Sequence, residues 1–214
     1  MFESGEKLFE GSNINKNYDF MTDLGKNYWT NRYELGHTQW DAGHITTPLQ
    51  IYFDSLPDKN TRILIPGGGN GHEAAYLHEN GFKEVFLLDF SPVPLANFQK
   101  RYPDFPAAHL LEQDFFTLNE KFDLMVEQTF FCALEPAQRP AYARQAAGVL
   151  KPGGKLVGLL FDAKLNDDQP PFGGSREEYR AYFEAYFYFD KFESCTSSIK
   201  PRLGKELWIE LVRK

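Results

Sequence analysis

The chain has 214 residues, 42% hydrophobic and 25% charged, which suits one folded domain with a substantial core and excludes global disorder. A formal net charge of −7, with no run of Lys and Arg, lacks the electrostatic footprint of a nucleic-acid binder and disfavours attraction to an anionic membrane surface. Cys132 and Cys195 stand far apart with no CxxC or Cys/His spacing, so neither a disulfide framework nor a zinc site is expected.

The opening stretch, MFESGEKLFEGSNINKN, has no apolar signal-like core, and no apolar run approaches the roughly twenty residues of a membrane helix. The expectation is a cytoplasmic monomer acting on a small molecule, with no nucleic-acid or membrane partner and no metal. Residues 1–24, polar and rich in Asn and Glu, read as a mobile arm, and residues 25–214 as one domain. From Asn27 to Asp54 the spacing of Trp29, Tyr33 and Trp40 suits a helix followed by a loop, and Pro48 suits the first turn of a helix to Phe53. Residues 62–65 read as a buried strand, followed by glycines and a helix through residues 73–77 that Gly81 would end. Residues 85–88 form a second strand ending at Asp89, and Ser91-Pro92 opens the next helix as N-cap and first residue.

Residues 122–126 read as a further strand, and Pro136 starts a helix running to Val149. Lys151-Pro152-Gly153-Gly154 reads as a tight turn before a strand over residues 155–161. A helix from Ser175 to about Tyr186 follows. Two strands, near 191–197 and 206–212, flank a hairpin-like connection at Pro201-Arg202-Leu203-Gly204-Lys205. Strands alternating with helices predict an α/β Rossmann-like doubly wound sheet, mostly parallel, with a C-terminal antiparallel hairpin and an N-terminal helical cover.

Within that frame, Pro66-Gly67-Gly68-Gly69-Asn70-Gly71 sits between a strand and a helix, where glycines let a ligand approach the backbone and turn amides offer donors. Gly67, Gly69 and Gly71 read GxGxG; the third glycine of a dinucleotide fingerprint would fall on His72, and the Lys-Ser/Thr pair of a P-loop is missing. Taken alone, such a turn is either a ligand loop or a structural bend. Asp89, about twenty residues on, stands where an acid commonly accepts hydrogen bonds from ribose hydroxyls. Gln113-Asp114-Phe115 stands where an acidic-aromatic pair can meet an adenine, though Asp114 by itself also reads as a loop or cap residue.

Together with Leu150-Lys151-Pro152-Gly153-Gly154, these residues resemble the class I S-adenosylmethionine-dependent methyltransferases. Within that superfamily the chain is most similar to the thiopurine methyltransferase family, and there to the plant-type halide and thiol methyltransferases. The resemblance covers about residues 27–214. It is carried by residues 33–47 with Trp40-Asp41-Ala42-Gly43, by residues 64–73, and by Phe130-Phe131-Cys132-Ala133-Leu134-Glu135-Pro136, running on through Arg139-Pro140-Ala141. It implies S-adenosyl-L-methionine as cofactor, with S-adenosyl-L-homocysteine as product. It implies that Trp29, Tyr33 and Trp40 cover the cofactor, that Gly67 and its neighbours Gly69 and Gly71 hold the methionine part, Asp89 the ribose, and Asp114 and Phe115 the adenine. Tyr33 and Gln128 depart from the family's Trp and Tyr at those places, and Gly68 replaces a Cys.

The expected reaction is methyl transfer to a small soft nucleophile: a thiol, thiopurine, hydrosulfide or halide. A hydrosulfide or thiol of low pKa is largely ionised near neutral pH and a halide needs no deprotonation, so no base is obligatory; Asp41, His37 and His44 are the nearest candidates. Phe130, Phe131 and Phe172 read as an acceptor chamber, with residues 167–174 as a lid, and Arg139 as a cation attracting an anionic acceptor. Core packing, a plain surface loop and a solvated helix charge are the competing readings of these residues. The alternatives for the chain are a methyltransferase for an oxygen, nitrogen or metalloid acceptor, a nicotinamide-dependent oxidoreductase, and a binding protein without turnover.

Overall fold

Four buried apolar residues in a row, Ile63–Pro66, form the central strand (β1) of a computed structural model that describes residues 24–214. The expectation of a mobile arm falls, but for its last residue, outside the described residues. Before β1 come helices α1 (Lys26–Glu34) and α2 (Thr47–Asp54). After it the chain alternates: α3 (His72–Glu79), β2 (Val85–Asp89), α4 (Pro92–Arg101), β3 (Leu110–Glu112), β4 (Phe122–Gln128), α5 (Arg139–Val149), β5 (Leu150–Phe161), α6 (Arg176–Phe183), β6 (Phe187–Ser194) and β7 (Glu206–Arg213).

The strands join one sheet in the order β3-β2-β1-β4-β5-β7-β6. The pairs from β3 to β5 are parallel, and β7 is antiparallel to both its neighbours. Side chains of the strands alternate between two cores, as the period of two requires. Ile63, Ile65, Leu124 and Val126 face α2, α3 and α4. Leu64 and Met125 face α5 and α6, where Phe131, Tyr142, Tyr179 and Phe183 pack edge to face at 5.1 to 6.2 Å, apart from the tilted Phe131–Phe183 pair at 5.8 Å. Most of the described rings lie in or against these two cores.

Three details differ from the sequence reading. Lys151-Pro152-Gly153-Gly154 is not a turn outside the sheet but part of β5, where Gly153 takes φ +76° and the register with β4 shifts between Phe122 and Leu124. These four residues have no partner in β4 and loop out between the pairs Phe122–Leu150 and Leu124–Lys155. The helix expected from Pro136 begins as a 3-10 turn (Pro136–Gln138) and becomes α-helical only at Arg139. The strand expected near Lys191 starts four residues earlier, with its own register shift between Phe189 and Lys191.

Candidate active site

The C-terminal ends of β1, β2 and β4 open onto a cavity of about 400 Å³, the position at which ligands bind in doubly wound sheets. Gly67 takes φ +56°, and a Cβ there would fall 2.3 Å from a ring carbon of Phe130. Gly69 takes φ +52°, and a Cβ there would fall 2.4 Å from the Tyr33 hydroxyl. Both positions need glycine twice over, for backbone conformation and for the ring that closes against them. Gly71 caps α3 from behind, against Phe98, and does not reach the cavity.

Asp89 ends β2 at 5% exposure. One carboxylate oxygen accepts the Gly69 N–H at 3.1 Å and the other the Ser91 N–H at 2.9 Å, so this acid fixes the glycine turn while facing the cavity. Burial raises its pKa to about 6 against the hydrogen bonds that lower it. Asp114 accepts the Phe116 N–H at 2.9 Å and shares the wall with Gln113 and Phe115. The opposite wall is aromatic. Trp40 stands edge-on to Trp29 at 5.3 Å and to Tyr33 at 5.8 Å, and burial together with Asp89 pushes the Tyr33 hydroxyl above its ordinary pKa.

Asp41, expected as a candidate base, is a clasp. It bonds the His72 ring nitrogen at 2.7 Å, accepts from the Asn70 side chain and takes the Gly43 N–H at 2.6 Å. Although burial opposes it, these bonds hold its carboxyl well below the ordinary range and raise His72 in turn. Arg202 ties down the same cover by donating to the Trp40 carbonyl at 2.7 Å. Asp41, His44, Gln128 and Arg202 surround a separate recess of about 50 Å³ on the far side of Trp40. There Gln128 accepts from Thr46 at 3.1 Å, and its amide nitrogen is buried without a partner among the described residues. His37 is exposed and faces neither space.

Three expected acceptor residues lie elsewhere. Phe131 is in the α5–α6 core at 1% exposure, because the turn after β4 sends Phe130 to the cavity and the next side chain inward. Phe172 is buried beneath the loop after β5, its N–H donating to the Cys132 carbonyl at 2.7 Å, while Pro170 and Pro171 reach the cavity instead. Arg139 is neither solvated nor on the wall. At 1% exposure it bonds Glu178 at 3.2 Å and the Phe172 carbonyl at 3.2 Å. The one cation on the wall among the described residues is Arg32, which lies 5.3 Å above the Trp40 ring.

Sequence reasoning missed Glu127 and Cys132. Glu127, 1% exposed, accepts the N–H groups of Phe130 at 2.9 Å and Phe131 at 2.8 Å with one oxygen and the Tyr142 hydroxyl with the other. An acid closing an apolar strand was the visible signal. Cys132 faces the cavity, its thiol pushed up to about 12 by burial and by the Glu127 charge.

This sheet order and glycine-turn cavity are those of a Rossmann-like methyltransferase that uses S-adenosylmethionine. Among solved structures the chain is similar to 1,6-didemethyltoxoflavin-N1-methyltransferase of Burkholderia thailandensis, which was crystallised with S-adenosylhomocysteine (TM-score 0.71, 14% identity, 96% of this chain and 93% of that one). It is also similar to a TehB-like methyltransferase of Corynebacterium glutamicum (TM-score 0.63, 18% identity, 88% and 97% covered). At those identities the likeness is one of fold. The family model of thiopurine S-methyltransferase (TPMT) matches residues 24–210, and the chain belongs to that family. Its relatives include probable thiol methyltransferase 2 of Arabidopsis thaliana, 33% identical over 196 residues with 87% of this chain and 84% of the relative covered. Thiocyanate methyltransferase 1 of Brassica oleracea is 34% identical over 185 residues, covering 83% and 81%. Thiopurine S-methyltransferase of Vibrio cholerae is 26% identical over 205 residues, covering 84% and 93%. The chain is thus an S-adenosylmethionine-dependent methyltransferase.

Proposed function

We propose that the enzyme methylates a small soft nucleophile, a thiol, hydrosulfide, thiopurine or halide, inside the 400 Å³ cavity. The observation that carries this reading is the cavity wall: aromatic on one side, with Asp89 and Asp114 engaged by backbone N–H groups on the other and no histidine among the described residues, it suits an acceptor that needs no proton removed. The printed names of the relatives, which act on thiols, thiocyanate and thiopurines, point the same way.

When bound, the cofactor supplies an electrophilic methyl group on a sulfonium. Gly67 on the cavity and Gly69 at the adjoining recess offer backbone to its amino-acid end, with Gly71 starting the helix behind them and Gln128 at the same recess. Asp89 accepts from the ribose hydroxyls, and Asp114 and Phe115 take the adenine. These residues fit because Asp89 is a buried carboxylate facing the cavity and the glycine turn presents its backbone there with no Cβ between it and the rings of Phe130 and Tyr33. Trp29, Tyr33 and Trp40 exclude water and turn ring faces and edges to a cationic ligand, while Phe130 faces the acceptor. Alignment and desolvation are what the protein contributes. Cys132 stays a neutral thiol near neutral pH and so does not compete as acceptor. The buried free thiols Cys132 and Cys195 also support a reducing cytoplasm, where we place the enzyme as a monomer acting on small molecules.

The test is a radiolabelled methyl-transfer assay across hydrosulfide, small thiols, a thiopurine, iodide and phenols, beside calorimetry with S-adenosylhomocysteine. Transfer to phenols but to no sulfur or halide acceptor would overturn the acceptor class. Replacing Asp89 with Asn should weaken the adenosylhomocysteine complex by about 1–3 kcal/mol.

A further inference from the structure

We propose that Glu127 is the positioning residue for the acceptor side of the cavity: its buried carboxylate holds the turn after β4 in the one conformation that places Phe130 and Cys132 on the wall. The inference rests on the reading of this cavity as the methyl-transfer site.

The turn cannot hold itself. Thr129 takes φ +59°, the one positive φ of a non-glycine residue among the described residues, and a β-branched side chain is poorly tolerated there. Left free, the chain would leave that conformation and carry Phe130 with it. Two consecutive N–H groups, those of Phe130 and Phe131, converge on one Glu127 oxygen at 2.9 and 2.8 Å. The second oxygen is committed to the Tyr142 hydroxyl on α5, which fixes the carboxylate from the opposite side.

The backbone of Glu127 is pinned as well. In β4 it pairs with Gly158 of β5, where a Cβ would come within 2.0 Å of the Glu127 carbonyl oxygen, so the two strands meet too closely for any side chain at Gly158. The carboxylate makes no ion pair among the described residues, unlike Asp41 with its His72. A buried acid with no cation is costly to keep unless its hydrogen bonds are needed. Here they go to the segment that carries Phe130 and Cys132, and nothing places the carboxylate itself on the cavity. Glu127 acts through the turn and not on the substrate.

The test compares Glu127→Gln with Glu127→Ala in the full-length enzyme. The amide oxygen of Gln can accept both N–H groups, and its nitrogen can donate to the Tyr142 oxygen, so Glu127→Gln should keep kcat/KM for hydrosulfide within about threefold of wild type. Glu127→Ala should raise KM for hydrosulfide at least tenfold while the affinity for S-adenosylhomocysteine, read by calorimetry, changes less than threefold. Amide hydrogen exchange at Phe130 and Phe131 gives a readout independent of turnover: protected in wild type and Glu127→Gln, exposed in Glu127→Ala. Should Glu127→Ala fail to fold, adding Thr129→Gly, which removes the backbone strain, serves as the second background, and partial recovery of the hydrosulfide KM there supports the proposal. A Glu127→Ala enzyme with lowered melting temperature but unchanged KM would overturn it, as would equal loss in Gln and Ala. Wild-type enzyme that methylates no sulfur acceptor, with the exchange pattern still as described, would instead refute the functional reading and leave the role of Glu127 in the turn standing.

Discussion

Replacing Gly67 with Ala tests the glycine turn against a built-in control. Gly67 and Gly81 both take positive φ, +56° and +81°, but a Cβ at Gly81 meets nothing within 4 Å whereas one at Gly67 meets the Phe130 ring at 2.3 Å. Gly81→Ala therefore isolates the cost of a left-handed backbone, about 1 kcal/mol, or roughly 2–4 °C in melting temperature for a chain of this size. Gly67→Ala carries the same cost and more. Ordinary carbon contacts lie at about 3.5–4.0 Å, so the Phe130 ring must retreat by about 1 Å or more. Retreat pulls it from its edge-on contacts with Phe115 at 5.5 Å and Tyr142 at 5.8 Å, pairs worth about 0.5–1.5 kcal/mol each. The expected loss is about 2–4 kcal/mol, with affinity for S-adenosylhomocysteine reduced about tenfold or more by calorimetry. Phe130→Ala in the same chain should recover part of the affinity, because the cycle removes the collision. Gly67→Ala binding adenosylhomocysteine as wild type does, with a melting temperature equal to that of Gly81→Ala, would refute the reasoning.

Three further outcomes follow from the charges. Asp41→Ala should weaken adenosylhomocysteine binding about tenfold by loosening Trp40, and the NMR titration of His72, raised above its ordinary value by Asp41, should move down. Arg139→Ala should cost about 3 kcal/mol in denaturant unfolding, since it strips a buried cation from Glu178 and the Phe172 carbonyl, and should leave the salt dependence of KM for anionic acceptors unchanged. Burial raises Glu127 from 4.5 to about 7. The folded enzyme keeps this proton where the unfolded chain has lost it, so stability falls as pH rises from 4.5 to about 7 and is level above, by about 3 kcal/mol. Glu127→Gln should lack that slope; parallel unfolding curves for the two proteins would contradict it.

Much of the frame was legible because local signals and tertiary demands agree. The four-residue apolar run at β1, the glycine turn and the Ser91-Pro92 start of α4 lie where their patterns put them. The continuity of β5 escaped notice because Lys-Pro-Gly-Gly carries the composition of a turn, while only the pairing of Leu150 and Lys155 on either side of it with β4 makes one strand. The site was legible on its ligand-loop side and less so on its acceptor side. Phe130 and Phe131 are adjacent and alike in sequence, and which of them faces the cavity is decided by the left-handed Thr129 and the hydrogen bonds to Glu127. Arg139 read as a cation for an anionic acceptor because its partners, Glu178 and the carbonyl of Phe172, lie more than thirty residues away.

The insertion of β7 between β5 and β6 has a consequence for synthesis. The eight residues Glu206–Arg213 pair on both flanks and bury Leu207, Ile209 and Leu211, yet they leave the ribosome after everything they hold together. Until then β5 presents a bare edge, and β6 has no neighbour at all. A nascent chain stalled before residue 206 is thus a sheet of five strands with an open, apolar flank, the kind of intermediate that chaperones shield and that aggregates by edge pairing. Deleting residues 206–213 would act on the middle of this fold rather than on its margin.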